Sequence, residues 1–129
     1  MIKVLKIALI LWGIIHIFLG LSFIFIPGQI AVVMGFDKLD NSSIYLGALC
    51  GLTFVAAAVW LIIAARDPIH NIKWVNFAIL WAALGVTIQV YLVIVGVIGL
   101  GQAAYGLIQD SIFTLSFLVF YPYRSLRVG

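Results

Sequence analysis

Charge is what this chain has least of: lysine, arginine, aspartate and glutamate make up 9% of its 129 residues, against 66% hydrophobic residues. That balance excludes an ordinary water-soluble globule, whose surface needs far more ionised side chains. Cysteine is equally scarce. The single Cys50 lies in an apolar run, which excludes an internal disulfide and a multi-cysteine metal centre and leaves a small buried hydrophobe as the expectation. There is no glycine loop spaced to cradle phosphate, no nucleophile beside a base, no paired acids and no metal-spaced histidine cluster. The sequence therefore offers no catalytic residue, no metal ligand set and no cofactor site, and a non-enzymatic role is expected. The net charge of +3 does not point to nucleic acid, because the basic residues are scattered near segment ends instead of gathered on one face.

What is present is hydrocarbon. Mean hydropathy is +1.30, and four apolar runs each approach the roughly 20 helical residues that cross a 30 Å slab. None alternates apolar with polar residues, which argues against a closed barrel. The expectation is an all-α integral membrane protein, a four-helix up-down bundle forming one transmembrane domain over residues 1–129, with helices over about 5–26, 44–65, 72–95 and 103–123. The first run resembles a secretory signal behind Lys3 and Lys6, but it is too long and lacks a small-residue cleavage site, so it reads as an uncleaved helix stopped by Pro27 and Gly28. Residues 29–34 are apolar but too short to span, which predicts a short interfacial helix or re-entrant cap ending at Gly35. A polar loop follows over 37–43. The Arg66-Asp67-Pro68 turn separates the second and third helices.

Orientation follows from the basic residues. Lys3, Lys6, Arg66, Lys73, Arg124 and Arg127 fall on one side of this layout and only Lys38 on the other, which predicts a multi-pass protein of the cytoplasmic membrane with both termini cytoplasmic. Small residues mark the faces where helices approach in lipid: Gly47-x-x-x-Gly51 in the second helix, continued by Val55 and Ala58; Ala78, Ala82 and Gly85 in the third; and Gly13 and Gly20 in the first. The third stripe ends at Gln89, whose amide needs a partner inside the bundle. A weak echo between Ala8-Leu9-Ile10-Leu11-Trp12 and Ala78-Ile79-Leu80-Trp81 is compatible with a parallel repeat or with shared composition.

Four polar groups share the middle to outer half of the membrane, at depths of roughly 15 Å for His16, 20 Å for Thr53, 21 Å for Asp110 and 24 Å for Gln89 from the cytoplasmic basic residue of each helix. They are the candidate ligand-binding residues. For Asp110 two readings stand: a ligand or proton site inside the bundle, or the cap of a shorter last helix that begins beside Ser111. The fourteen residues from Asp110 to Arg124 reach only about 21 Å, which favours the deep site. His16 reads as a structural or pocket-lining histidine partnered by Asp110; a bis-histidine haem is disfavoured because His70, the other histidine, belongs to the cytoplasmic turn. Trp12, Trp60, Trp74 and Trp81 are available either as packing and interface residues or as the walls of a site for an aromatic or isoprenoid molecule.

Five features give the chain a family likeness: the spacing Gly20-x6-Pro27, the turn Met34-Gly35-Phe36, the turn Ala65-Arg66-Asp67-Pro68, the following Ile72-x-Trp74-Val75 and the terminal Phe120-Tyr121-Pro122. Together they resemble the small four-helix membrane proteins of the BphX-like group, similar in layout to DoxX-like proteins. The resemblance covers nearly the whole chain, rests on structural punctuation and transfers no site residue. It implies either the handling of a lipophilic molecule such as a quinone or aromatic compound, or an accessory role in a redox complex. Two functions follow as expectations. The first is a non-enzymatic accessory or interaction subunit that associates with itself or a larger membrane complex; the second is a binder or carrier of a small lipophilic ligand held by Asp110, Gln89, His16 and Thr53.

Overall fold

A computed structural model describes residues 2–123, and within them the chain is all-helical: α1 (Ile2–Phe25), α2 (Pro27–Val33), α3 (Asn41–Ala64), α4 (Ile72–Ile94) and α5 (Leu100–Val119). Arg124 and Arg127, assigned above to the cytoplasmic side, lie outside the described residues. Three of the helices, α1, α3 and α4, are long and apolar enough to cross a membrane. The expected fourth span over 103–123 is corrected in two respects. The helix begins three residues earlier and ends at Val119, ahead of Pro122, and with Gln102, Gln109, Asp110, Ser111, Thr114 and Ser116 in its length it does not reach the hydropathy of the other three.

Local chemistry sets the boundaries. Pro27 stands in the first turn of α2, where its missing N–H costs nothing. Gly35 closes α2 in the left-handed region (φ +82°), with its N–H donating to Val32 O and that of Phe36 to Ala31 O. Asp40 caps α3: its Oδ1 accepts from Ser43 N at 2.7 Å, so the helix starts at Asn41, ahead of the apolar run itself. Hydrogen bonding from Ser43, first by its side chain and then by this N–H, holds the Asp40 carboxyl below its ordinary value near 3.8. Asp67 closes the next turn, accepting from His70 N at 3.2 Å and, through its carbonyl, from Asn71 Nδ2 at 2.9 Å. Gly96 (φ +75°) ends α4 in the same left-handed way as Gly35.

Hydrogen bonds at the two ends of the bundle give the up-down order. Lys6 Nζ donates to Arg66 O at 2.7 Å, a cation at the C-terminal end of α3, and Tyr121 Oη donates to Asn76 Oδ1 at 2.7 Å at the same end. At the opposite end Gln102 Nε2 donates to Gly35 O at 2.8 Å while its Oε1 accepts from Gly99 N at 2.7 Å, so one amide both caps α5 and ties it to the α2–α3 connection.

The helices associate as two close antiparallel pairs, α1 with α3 and α4 with α5, which meet each other less extensively. Gly20 and Gly51 bring α1 and α3 together: a Cβ built on either would strike the carbonyl oxygen of the other. Gly13 sits against Ala58 O and Ile62 further along the same seam. By contrast, nothing lies within 4 Å of a Cβ at Gly47. Between the pairs, Leu5, Leu9, Trp12, Leu61, Val75, Ala78, Ala82 and Phe117 form a buried core confined to the half of the bundle that carries Lys6 and Arg66. The outer faces are apolar. Along α5 the exposed stripe is Tyr105, Ile108, Ile112, Leu115 and Val119, whereas Gln109, Asp110, Ser111 and Thr114 are half-buried. Cys50, expected inside, is exposed on α3, which is where a helix in lipid presents its hydrophobes.

Candidate functional site

Adjoining that core at Trp12, the two helix pairs leave a cavity of about 640 Å³. Its size lies within the range of ordinary small-molecule sites. Trp12 and His16 of α1, Phe54 of α3, Trp81, Gly85 and Gln89 of α4, and Asp110 of α5 line it. Leu84, Ile88 and Tyr91 on the exposed side of α4 form its mouth, so the opening faces the flank of the bundle.

The polar end is built by a reciprocal arrangement of α4 and α5. Gly85 and Gln89 are one helical turn apart, as are Gly106 and Asp110, and the antiparallel pairing sets Gly85 opposite Asp110 and Gln89 opposite Gly106. Each polar side chain lies over the other helix's glycine, in space that a Cβ would occupy. Gln89 Nε2 donates to Asp110 Oδ2 at 3.2 Å and to Gly85 O at 3.1 Å, which uses both amide hydrogens. Asp110 Oδ1 has no hydrogen-bond partner among the described residues, and no basic side chain there pairs with the carboxyl. Asp110 is interior to an unbroken α5 and caps no helix, so the shorter-helix reading is excluded.

The other end is aromatic. His16 is buried among Trp12, Phe54 and Trp81, with ring centroids at 4.6, 5.4 and 4.8 Å. Its Nδ1 lies 2.9 Å from Trp12 O. A carbonyl can only accept, so Nδ1 carries the proton and Nε2 is left as an acceptor. The expected bond between His16 and Asp110 is therefore replaced by two separate ones, His16 to Trp12 O and Asp110 to Gln89. The backbone carbonyl four residues back on its own helix lies within reach of the His16 ring, and His16 takes it. Trp12 Nε1 is buried with no partner among the described residues.

Of the four candidate ligand residues, then, His16, Gln89 and Asp110 border one cavity. Thr53 does not. It donates to Cys50 O at 2.7 Å and lines a neighbouring pocket of about 290 Å³, which shares Phe54, Trp81 and Leu84 with the first. Phe54, Gly106 and Gln102 carry parts of the site or its frame that the sequence reading passed over. Gly106-x-x-x-Asp110 repeats the spacing of Gly85-x-x-x-Gln89, and that match was the available signal. No protein-family model, curated protein or solved structure matches the chain.

Proposed function

We propose that this chain is a multi-pass protein of the cytoplasmic membrane, a four-helix bundle of the BphX-like kind with α5 as its fourth crossing and both termini cytoplasmic, that binds or carries a small lipophilic molecule. Support for the fourth crossing comes from the inverted character of α5. Its exposed stripe is apolar and its polar residues turn toward α4 and α1, the pattern lipid imposes and water does not. Twenty residues at 1.5 Å give about 30 Å of helix, enough to span.

The ligand reading rests on the convergence of His16, Gln89 and Asp110 on one aromatic-walled cavity. Groups spent only on holding helices together have no need of a shared cavity. The opening toward the flank supports entry from the hydrocarbon phase. One observation favours the alternative, an accessory subunit whose polar groups serve helix association: Gln89 and Asp110 already bond across α4 and α5. Native mass spectrometry in mild detergent separates the two. A recurring small lipophile that disappears in Asp110→Ala supports the binder, and a stoichiometric protein partner on an empty bundle refutes it.

A further inference from the structure

Around His16 and Asp110 the cavity's open hydrogen-bonding atoms are acceptors. His16 Nε2 and Asp110 Oδ1 are open acceptors, while both hydrogens of Gln89 Nε2 are committed to Gly85 O and Asp110 Oδ2. The one unpartnered donor on the aromatic side, Trp12 Nε1, is fully buried among its neighbouring rings. Of the two lining hydroxyls, that of Thr87 donates to Ala83 O and that of Tyr91 stands at the exposed mouth.

Charge and shape point the same way. A carboxylate withdrawn from water is costly unless an opposite charge compensates it, and no lysine, arginine or histidine among the described residues does so for Asp110. Across the same cavity stand Trp12, Trp81 and Phe54, whose π-faces attract cations and bind them more strongly when water is excluded. A lipophilic cation satisfies the acid and the rings together. We infer that the cavity takes a lipophilic organic cation, an ammonium or related onium bearing aromatic or alkyl groups, with the positive centre between Asp110 and the Trp12–Phe54–Trp81 wall. The inference rests on the lipophile-binding reading above and specifies the class of ligand.

Three probes of closely similar size and shape test it: methyltriphenylphosphonium, a cation; triphenylmethanol, a neutral donor; and triphenylphosphine oxide, a neutral acceptor. Equilibrium dialysis against the purified full chain in mild detergent should rank methyltriphenylphosphonium first, at least tenfold tighter than either neutral probe. Asp110→Asn keeps the shape and the Gln89 contact and should weaken the cation at least tenfold while leaving the neutral probes within twofold. Trp81→Leu should weaken the cation severalfold in a bundle whose helicity by circular dichroism is unchanged, and Asp110→Glu should restore part of what Asp110→Asn loses. Neutral probes binding as tightly as the cation, with no effect of Asp110→Asn, overturn the cation assignment and leave the cavity a lipophile site. Binding of none of the three overturns both.

Discussion

Gly47 and Gly51 stand one turn apart on α3 and look equivalent as a small-xxx-small pair, yet alanine at the two positions should have opposite consequences. At Gly51 a new Cβ meets the Gly20 carbonyl oxygen, with Phe23 Cβ at 3.1 Å and Gly20 C at 3.2 Å. Two of these three atoms are backbone and cannot rotate away, so α1 and α3 must part by several tenths of an ångström along the seam that Gly13 continues. Overpacking of this kind costs about 1–3 kcal/mol. At Gly47 the methyl enters open space. Replacing glycine by alanine inside a helix returns about 1 kcal/mol at either position, and because both lie in the same helix that term cancels in the comparison. Gly51→Ala should therefore be less stable than Gly47→Ala by about 1–3 kcal/mol, and Gly47→Ala at least as stable as the parent. The assay is reversible unfolding by titrating sodium dodecyl sulfate into dodecylmaltoside micelles, read by far-ultraviolet circular dichroism with all three proteins in parallel. Equal midpoints for the two variants, or a less stable Gly47→Ala, would show that the α1–α3 seam does not run through Gly20 and Gly51.

Three further outcomes follow from the packing. Phe117→Ala empties a fully buried position against Trp12, whose ring lies 5.3 Å away centroid to centroid, and should cost about 3–5 kcal/mol in the same titration; a loss below about 1 kcal/mol would refute the placement of the core. Tyr121→Phe deletes the 2.7 Å bond to Asn76 that ties the segment after α5 to the start of α4, with an expected loss of about 0.5–1.5 kcal/mol and an equal effect of Asn76→Ala that does not add to it. The Asp40 carboxyl titrates below its ordinary value, so its capping contribution is fully present above pH 3.8 and disappears as the pH falls through the lower folded-state value. Protection of the Ser43 amide, its exchange rate relative to the unfolded chain at the same pH, should then fall on acidification in the parent protein and show no such step in Asp40→Asn.

Much of the frame is legible in the residues because it is set locally. Pro27 starts α2, Gly35 and Gly96 close helices in the left-handed region, and Asp67 with Pro68 makes the α3–α4 turn. Each depends on a few adjacent residues. The start of α3 was less legible: hydropathy places it at residue 44, whereas the Asp40 cap extends it to Asn41 through three polar residues that carry no apolar signal. Gln102 falls between the helices expected over 72–95 and 103–123, and its role shows only when Gly35, 67 positions away, comes within 2.8 Å.

The sequence by itself determined the all-helical class of fold and three helices long and apolar enough to cross a membrane, because runs of some twenty apolar residues with few ionised groups satisfy their backbone internally as helices. Tertiary structure alone decided which polar groups meet. Asp110 faces Gly85 and Gln89 faces Gly106 because an antiparallel pairing fixes which positions oppose each other, and His16 turns to its own helix while Thr53 falls into a different pocket. A small residue costs little on either face of a membrane helix, so the string Gly47-x-x-x-Gly51 cannot say which of its glycines a neighbour will use. Contact with Gly20 decides that.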